Sequence, residues 1–262
     1  MSRLLGDIGT IEWARRTDGV LGRGERARFL AATALRTARL PPRLLRSALG
    51  ERGGRAEGGG PDPSRLAPPD TPFARQVLDV CADLDPMVVE HSYRSYLFGR
   101  ALGEAEGIEC DEEALFAATM LHDYAFATMD ELEDRCFTVA GAEVAERVLA
   151  SSPLSAADRH AVLDAITLHL NPAVPPGQGA VQHLAHDGIS LDVLGVRRWE
   201  LDRAGLRRTF ERHPRHGFTV RGEALMRAHG RRVRGCRCGV LFRAGFGPAL
   251  RTGPWRRMDL AG

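Results

Sequence analysis

The sequence predicts an all-α protein, a helical bundle around a divalent-metal site with further helices at both ends. Three observations carry this expectation. Apolar residues recur at three-to-four-residue spacing along much of the chain. Capping residues and prolines stand immediately before those runs. Two consecutive runs also place histidines on their apolar faces, at His91 and His122, and Asp123 follows the second.

Residues 1–50 read as an N-terminal helical extension. The stretch E-R-A-R-F-L-A-A-T-A-L-R-T-A-R-L at 25–40 has helical patterning, and Pro41-Pro42 separates it from a second short run. This extension carries no chemistry and is expected to cover its apolar face on the core or on a second subunit, so a homodimer is one expectation. The opening M-S-R-L-L-G-D-I-G-T has neither a long apolar core nor a small-residue cleavage site, which predicts a cytoplasmic rather than a secreted protein. Residues 51–65, rich in Gly, Pro and charge, are expected to form a flexible linker or loop.

The main unit spans 66–215. Thr71-Pro72 and Asp85-Pro86 each pair an N-cap with a proline at the first helical position. After Pro86, the residues Val88, His91, Ser95, Phe98 and Leu102 share one helix face, and Gly107 stops the run. Asp111 caps the next helix, with Glu112 and Glu113 in its first turn, where negative charge is favoured. Leu115, Ala118, Thr119 and His122 then lie on one side. Two imidazoles and the Asp123 carboxylate on consecutive helices suit one divalent ion, because imidazole supplies neutral nitrogen and carboxylate offsets the metal's charge. A single inward histidine is more often a hydrogen-bonded core residue; two, the second beside an aspartate at a helix end, point to a metal.

Beyond Tyr124 the acids Asp130, Glu131, Glu133 and Asp134 read as a solvated helix face. Phe137 and Val139 lead into an amphipathic helix that ends before Ser151-Ser152-Pro153. Ser155 with Asp158 forms a capping-box-like start, and Val162, Ala165, Ile166 and His169 face inward before Asn171-Pro172. His169 is thus a third inward histidine: a donor or base in the pocket, a ligand to a second ion, or a satisfied core residue. The Pro- and Gly-rich loop 171–179 suits a rim or lid. His183 and His186 read as local hydrogen-bonding or surface residues, while Asp187 and Asp192 are each a candidate further acidic ligand. Residues 196–216 are expected to form one basic amphipathic helix packed through Trp199, Leu206 and Phe210. Residues 216–262 form a basic C-terminal extension, with one further helix around 220–230 and an irregular tail from 239.

These residues carry a resemblance. A spaced histidine followed by a His-Asp dyad resembles the HD superfamily of metal-dependent hydrolases, whose pattern closes with an aspartate on a later helix. The segments P-D-T-P-F-A-R-Q-V (69–77), H-S-Y-R-S-Y-L-F-G (91–99), M-L-H-D-Y (120–124), F-T-V-A-G-A-E-V-A (137–145), I-T-L-H (166–169) and L-D-V-L-G (191–195) resemble its cyanamide-hydratase-like branch. The resemblance implies an HD-domain bundle of about five or six helices. It also implies one divalent ion, zinc first and iron, manganese or nickel as alternatives, held by His91, His122, Asp123 and Asp192. Asp123 would double as proton acceptor, His169 would stand in the pocket, and Arg94, one turn after His91, would steer an anion or form a salt bridge. The implied reaction is hydration or hydrolysis of a small C–N compound such as a cyanamide or nitrile. A phosphomonoester or nucleotide hydrolase is the alternative, and a metal-stabilised binding module without activity is the third.

Composition removes other classes. All 36 basic residues are arginine, so no lysine Schiff base is available. No apolar run approaches the roughly eighteen residues of a membrane span. Five scattered cysteines do not form a disulfide framework, and Cys236-Arg237-Cys238 lacks a second pair for a zinc knuckle. From residue 193 onward, 17 arginines face 5 acids. This asymmetry predicts packing on the acidic body or a solvated face rather than nucleic-acid binding, since no aromatic-interleaved basic patch accompanies it.

Overall fold

The computed structural model describes residues 2–38, 59–128 and 134–255. The expected short run after Pro41-Pro42, residues 51–58 of the expected linker, and Asp130, Glu131 and Glu133 lie outside the described residues.

The centre of the molecule is the long helix α5, Pro86–Glu106. Asp85 caps it by accepting from the Met87 amide, and Gly107 ends it in the left-handed region at φ 66°. Earlier in the chain come α1 (Ser2–Leu5), α2 (Ile11–Thr17), α3 (Arg23–Ala38) and α4 (Pro72–Cys81). Then follow α6 (Glu112–Leu121), α7 (Tyr124–Ala127), α8 (Phe137–Leu149), α9 (Ala156–Leu168) and α10 (Ala180–Leu194). The C-terminal part adds α11 (Arg203–Arg212), α12 (Phe218–Arg232), α13 (Arg237–Arg243) and α14 (Phe246–Arg251). Thr71, Asp111 and Ser155 cap α4, α6 and α9 as their positions predict.

One core joins α4, α5, α6, α8, α9 and α10 through residues such as Val77, Leu97, Phe116, Ala145, Ile166 and Leu184. Within it, α5 and α10 approach backbone to backbone. A Cβ at Gly188 would collide with the Ser95 carbonyl and lie 2.7 Å from the Gly99 nitrogen. Reciprocally, a Cβ at Gly99 would lie 2.7 Å from the Leu184 carbonyl oxygen. Glycine at both places sets the close crossing, and Asp192, one turn beyond Gly188, is thereby carried onto α5.

A second core packs the N-terminal helices against the C-terminal ones. Trp13, Phe29, Phe126, Phe137, Val240 and Leu241 belong to it. Part of the apolar face of the N-terminal extension, Trp13 and Phe29 among it, is therefore covered within this chain, while Leu30 and Leu35 of α3 stay exposed. Three expectations need correction. Residues 196–216 are not one helix: Leu201 is extended, and Asp202 starts α11 afresh by accepting from the Gly205 amide. The described part of the tail is mostly helical over Arg237–Arg243 and Phe246–Arg251, and Cys236 accepts from the Gly239 amide to cap α13. Residues 59–65 are anchored, since Asp62 accepts from Arg208 and the Pro61 carbonyl from the Asp202 amide. The C-terminal arginines pair with the body, as in Arg221–Asp85 and Arg208–Asp62.

Candidate metal centre

Helix ends build the centre. His122 stands at the C-terminus of α6 and His169 at that of α9, where backbone carbonyls lack helical partners. Each imidazole donates its Nδ1–H back to the carbonyl three residues earlier, His122 to Thr119 and His169 to Ile166, both at 2.7 Å. A carbonyl only accepts, so both Nδ1 atoms carry a proton and both Nε2 atoms point away from their helices.

His91, on the second turn of α5, reaches the same tautomer by a different route. Its Nδ1 lies 2.6 Å from Asp192 Oδ2. Asp192 is fully buried and ionised: Arg94 donates from Nε (2.7 Å) and Nη2 (2.9 Å), and Arg215 donates from Nη1 (3.1 Å). Burial alone would raise the Asp192 carboxyl, but Arg94, Arg215 and the His91 bond hold it far below the usual range. Facing an ionised carboxylate, His91 Nδ1 must donate, and its Nε2 is a free lone pair.

The Nε2 atoms of His91 and His122 stand 3.2 Å apart. Asp123 Oδ2 lies 3.2 Å from the first-named partner of its dyad, His122, and 3.8 Å from His91. Two ring nitrogens this close need a proton or a metal ion between them. Metal–ligand bonds of about 2.1 Å imply ligand–ligand edges of about 3.0–3.4 Å, so two of the three edges match and the third is slightly open. The residues present fit a divalent ion. His91, His122 and Asp123 form one group of potential ligands, all buried.

The electrostatics separate the members. Burial lowers His91 despite Asp192. Burial would lower His122 too, but the Asp123 carboxylate outweighs it and raises that imidazole. Desolvation would raise Asp123, yet His122, His169 and His91 together hold its carboxyl well below the usual range. His169 is pushed down to about 3, first by burial and then by His122, and stays neutral. Its Nε2 lies 3.9 Å from Asp123 Oδ1, so the two Asp123 oxygens face different partners.

Asp192 is not among the clustered ligand atoms. The structure places it behind His91, on the Nδ1 side of the ring, where it orients the imidazole. Arg94 is buried with it and also donates to the His213 and Pro214 carbonyls, forming a salt bridge rather than facing an incoming anion. His183 and His186 are buried and locally bonded, to the Val174 and Asn171 carbonyls. Asp187 accepts from His186 and Arg197, apart from the centre. The grouping Glu106–His183–Asp187 is already bridged by the Arg197 guanidinium, and Glu12–His160–Asp164 is largely exposed.

The centre opens on a cavity of about 270 Å³. Phe126, Phe137, Ile189 and Val193 line it near the histidines, and Phe218 lies over His91 with ring centroids 4.4 Å apart. Sequence reasoning missed Phe218 and Arg215, because neither has a motif and only the return of the chain after α11 brings them to α5.

Residues 88–203 match the family model described as HD domain. No curated protein matches the chain. The molecule is thus an all-helical protein with an HD-domain core, flanked by additional N- and C-terminal helices. Its His91–His122–Asp123 triad is consistent with a metal-dependent hydrolase. The match is to the superfamily and does not reach the cyanamide-hydratase-like branch. Among the described residues, no helix is long and apolar enough to cross a membrane.

Proposed function

We propose that the protein is a metal-dependent hydrolase of small molecules, and that its reaction is phosphomonoester hydrolysis. The observation that carries the hydrolase reading is the convergence of three Nε2 atoms and the Asp123 carboxylate at the edge of a cavity. The HD-domain match supports a phosphohydrolase better than a cyanamide or nitrile hydratase. A bound divalent ion, with zinc the first expectation and iron, manganese or nickel the alternatives, acidifies water and polarises the scissile bond.

This chain's own groups do the rest. His91, His122 and Asp123 would hold the ion, with Asp192 fixing the His91 tautomer in the manner of outer carboxylates at metal sites. Asp123 presents one oxygen to His122 and His91 and turns the other toward His169. That second oxygen is placed to take the proton of the attacking water. Neutral His169, its Nδ1–H tied to Ile166, can only accept at Nε2, so it orients the water through a hydrogen bond.

A second reading, hydration of a nitrile-like C–N compound, is favoured by one observation. Arg94 and Arg215 are bound to Asp192, and Arg36 is the one arginine among the described wall residues, so no arginine cluster clamps a phosphate. One experiment separates the two. Elemental analysis of the purified protein should return about one equivalent of metal, lost in His122→Ala and Asp123→Ala. The metal-loaded sample is then screened with phosphomonoesters and with cyanamide. Phosphate release supports the first reading, and urea from cyanamide supports the second. No metal after reconstitution would overturn both.

A further inference from the structure

The family match ends at residue 203, yet much of the cavity wall comes from outside it. Helix α12 contributes Gly222 and Met226, α13 contributes Leu241, the α13–α14 turn adds Ala244 and Gly245, and α14 opens with Phe246. With Phe126, Phe137 and Phe218 these side chains make a wall that is mostly apolar. Its polar members beyond the metal centre are Thr33, Arg36, Thr37, Asn171 and Ser190. Asn171 donates to the Ile8 carbonyl and accepts from Arg237, while the Thr33 and Thr37 hydroxyls donate to the carbonyls of their own helix. A nucleoside placed here would bury a base and ribose hydroxyls against few polar partners, and each unsatisfied group costs about 1–3 kcal/mol. A hydrocarbon body would instead replace water on every side. An apolar cavity of roughly 150 Å³ holds one benzene ring, and this one is close to twice that size.

We propose that the terminal helices make this centre selective for substrates with a single hydrolysable head at the metal and a compact apolar body, an aryl or medium-chain alkyl phosphomonoester rather than a nucleotide. The phosphate head rests on the function proposed above, while the apolar body rests on the cavity alone. The terminal helices thus act as the specificity element, and the HD core supplies the chemistry. Met226 and Leu241 line the cavity from α12 and α13, so trimming either one enlarges the space for the body.

The test is a calorimetric titration of the metal-loaded full chain with methyl- to octylphosphonate, alongside the matching primary alcohols and adenosine monophosphate. Affinity should rise about fourfold per added methylene until the cavity is full. Met226→Ala, checked for an unchanged melting profile, should move the optimum to a longer chain. Naphthyl phosphate should be hydrolysed with a kcat/KM at least a hundredfold above that for adenosine monophosphate. Equal affinity for methyl- and octylphosphonate, or tighter binding of the nucleotide, would overturn the inference and leave the phosphohydrolase reading standing. Chain-length-dependent binding of the alcohols with no preference for phosphonates would retain the apolar body and reject the phosphate head. Binding of neither series would overturn the inference outright. If Met226→Ala folds poorly, Leu241→Ala makes the same measurement from α13.

Discussion

Substituting Asp192 by asparagine isolates one charge without creating a cavity. In the protein this carboxylate is fully buried and accepts from Arg94 twice, from Arg215 and from His91. The amide keeps the shape and can still accept one bond from His91 Nδ1–H, but it withdraws the carboxylate's charge from two buried guanidinium groups. Removing one partner of a buried ion pair costs about 3–5 kcal/mol. Urea unfolding of Asp192→Asn should therefore show a loss in that range at unchanged m-value. The weakened hold on His91 should also reduce metal affinity by about 10- to 100-fold, read by competition with a chromogenic chelator. A stability within about 1 kcal/mol of the parent would refute the claim that Asp192 neutralises Arg94 and Arg215. Complete loss of metal at saturating concentration would refute its placement behind His91 and make Asp192 a direct ligand, as the sequence resemblance implies.

Gly188→Ala puts a methyl group against the Ser95 carbonyl and the Gly99 nitrogen, both backbone, so α5 and α10 must separate. The expected cost is about 1–3 kcal/mol, with reduced metal content as Asp192 withdraws from His91; unchanged values for both would show that the crossing is loose. Asp187 predicts part of the acid limb of stability. Burial would raise its carboxyl, but His186 and Arg197 hold it well below the ordinary value of about 4. Its contribution is complete above that value and drains away as pH falls toward the folded pKa, with a slope approaching about 1.4 kcal/mol per pH unit. Asp187→Asn should flatten the stability profile below about pH 4, and an unaltered acid limb would exclude this role. Removing the metal with a chelator should lower the melting temperature of the parent but not of His122→Ala, because the ion bridges the facing His91 and His122 nitrogens; equal shifts in both would place the bound metal elsewhere.

Local rules made much of the bundle legible before any coordinates. Asp85-Pro86, Asp111 and Ser155 mark helix starts because a capping side chain and a fixed φ act within a few residues. The inward positions of His91, His122 and His169 follow from helical periodicity, which is also local. Where such reading failed, long-range contacts had overridden local pattern. The run at 196–216 has the composition of a single helix, but Leu201 must enter the core beside Phe98 and Phe210, and the chain breaks there. The stretch 239–251 has weak patterning of its own and is largely helical against α12 and the N-terminal helices.

The sequence by itself determined the all-helical class and the three inward histidines with Asp123, because spacing along one chain decides which side chains share a helix face. Only the tertiary structure decided what each partner does. Glycines at 99 and 188 let two backbones touch, and that contact sends Asp192 to the Nδ1 side of His91. The return of the chain brings Arg215 and Phe218 beside α5 from more than a hundred residues away, and the helices after residue 203 close the cavity with apolar walls. Distances between segments depend on how whole helices pack, and no spacing within one segment encodes them.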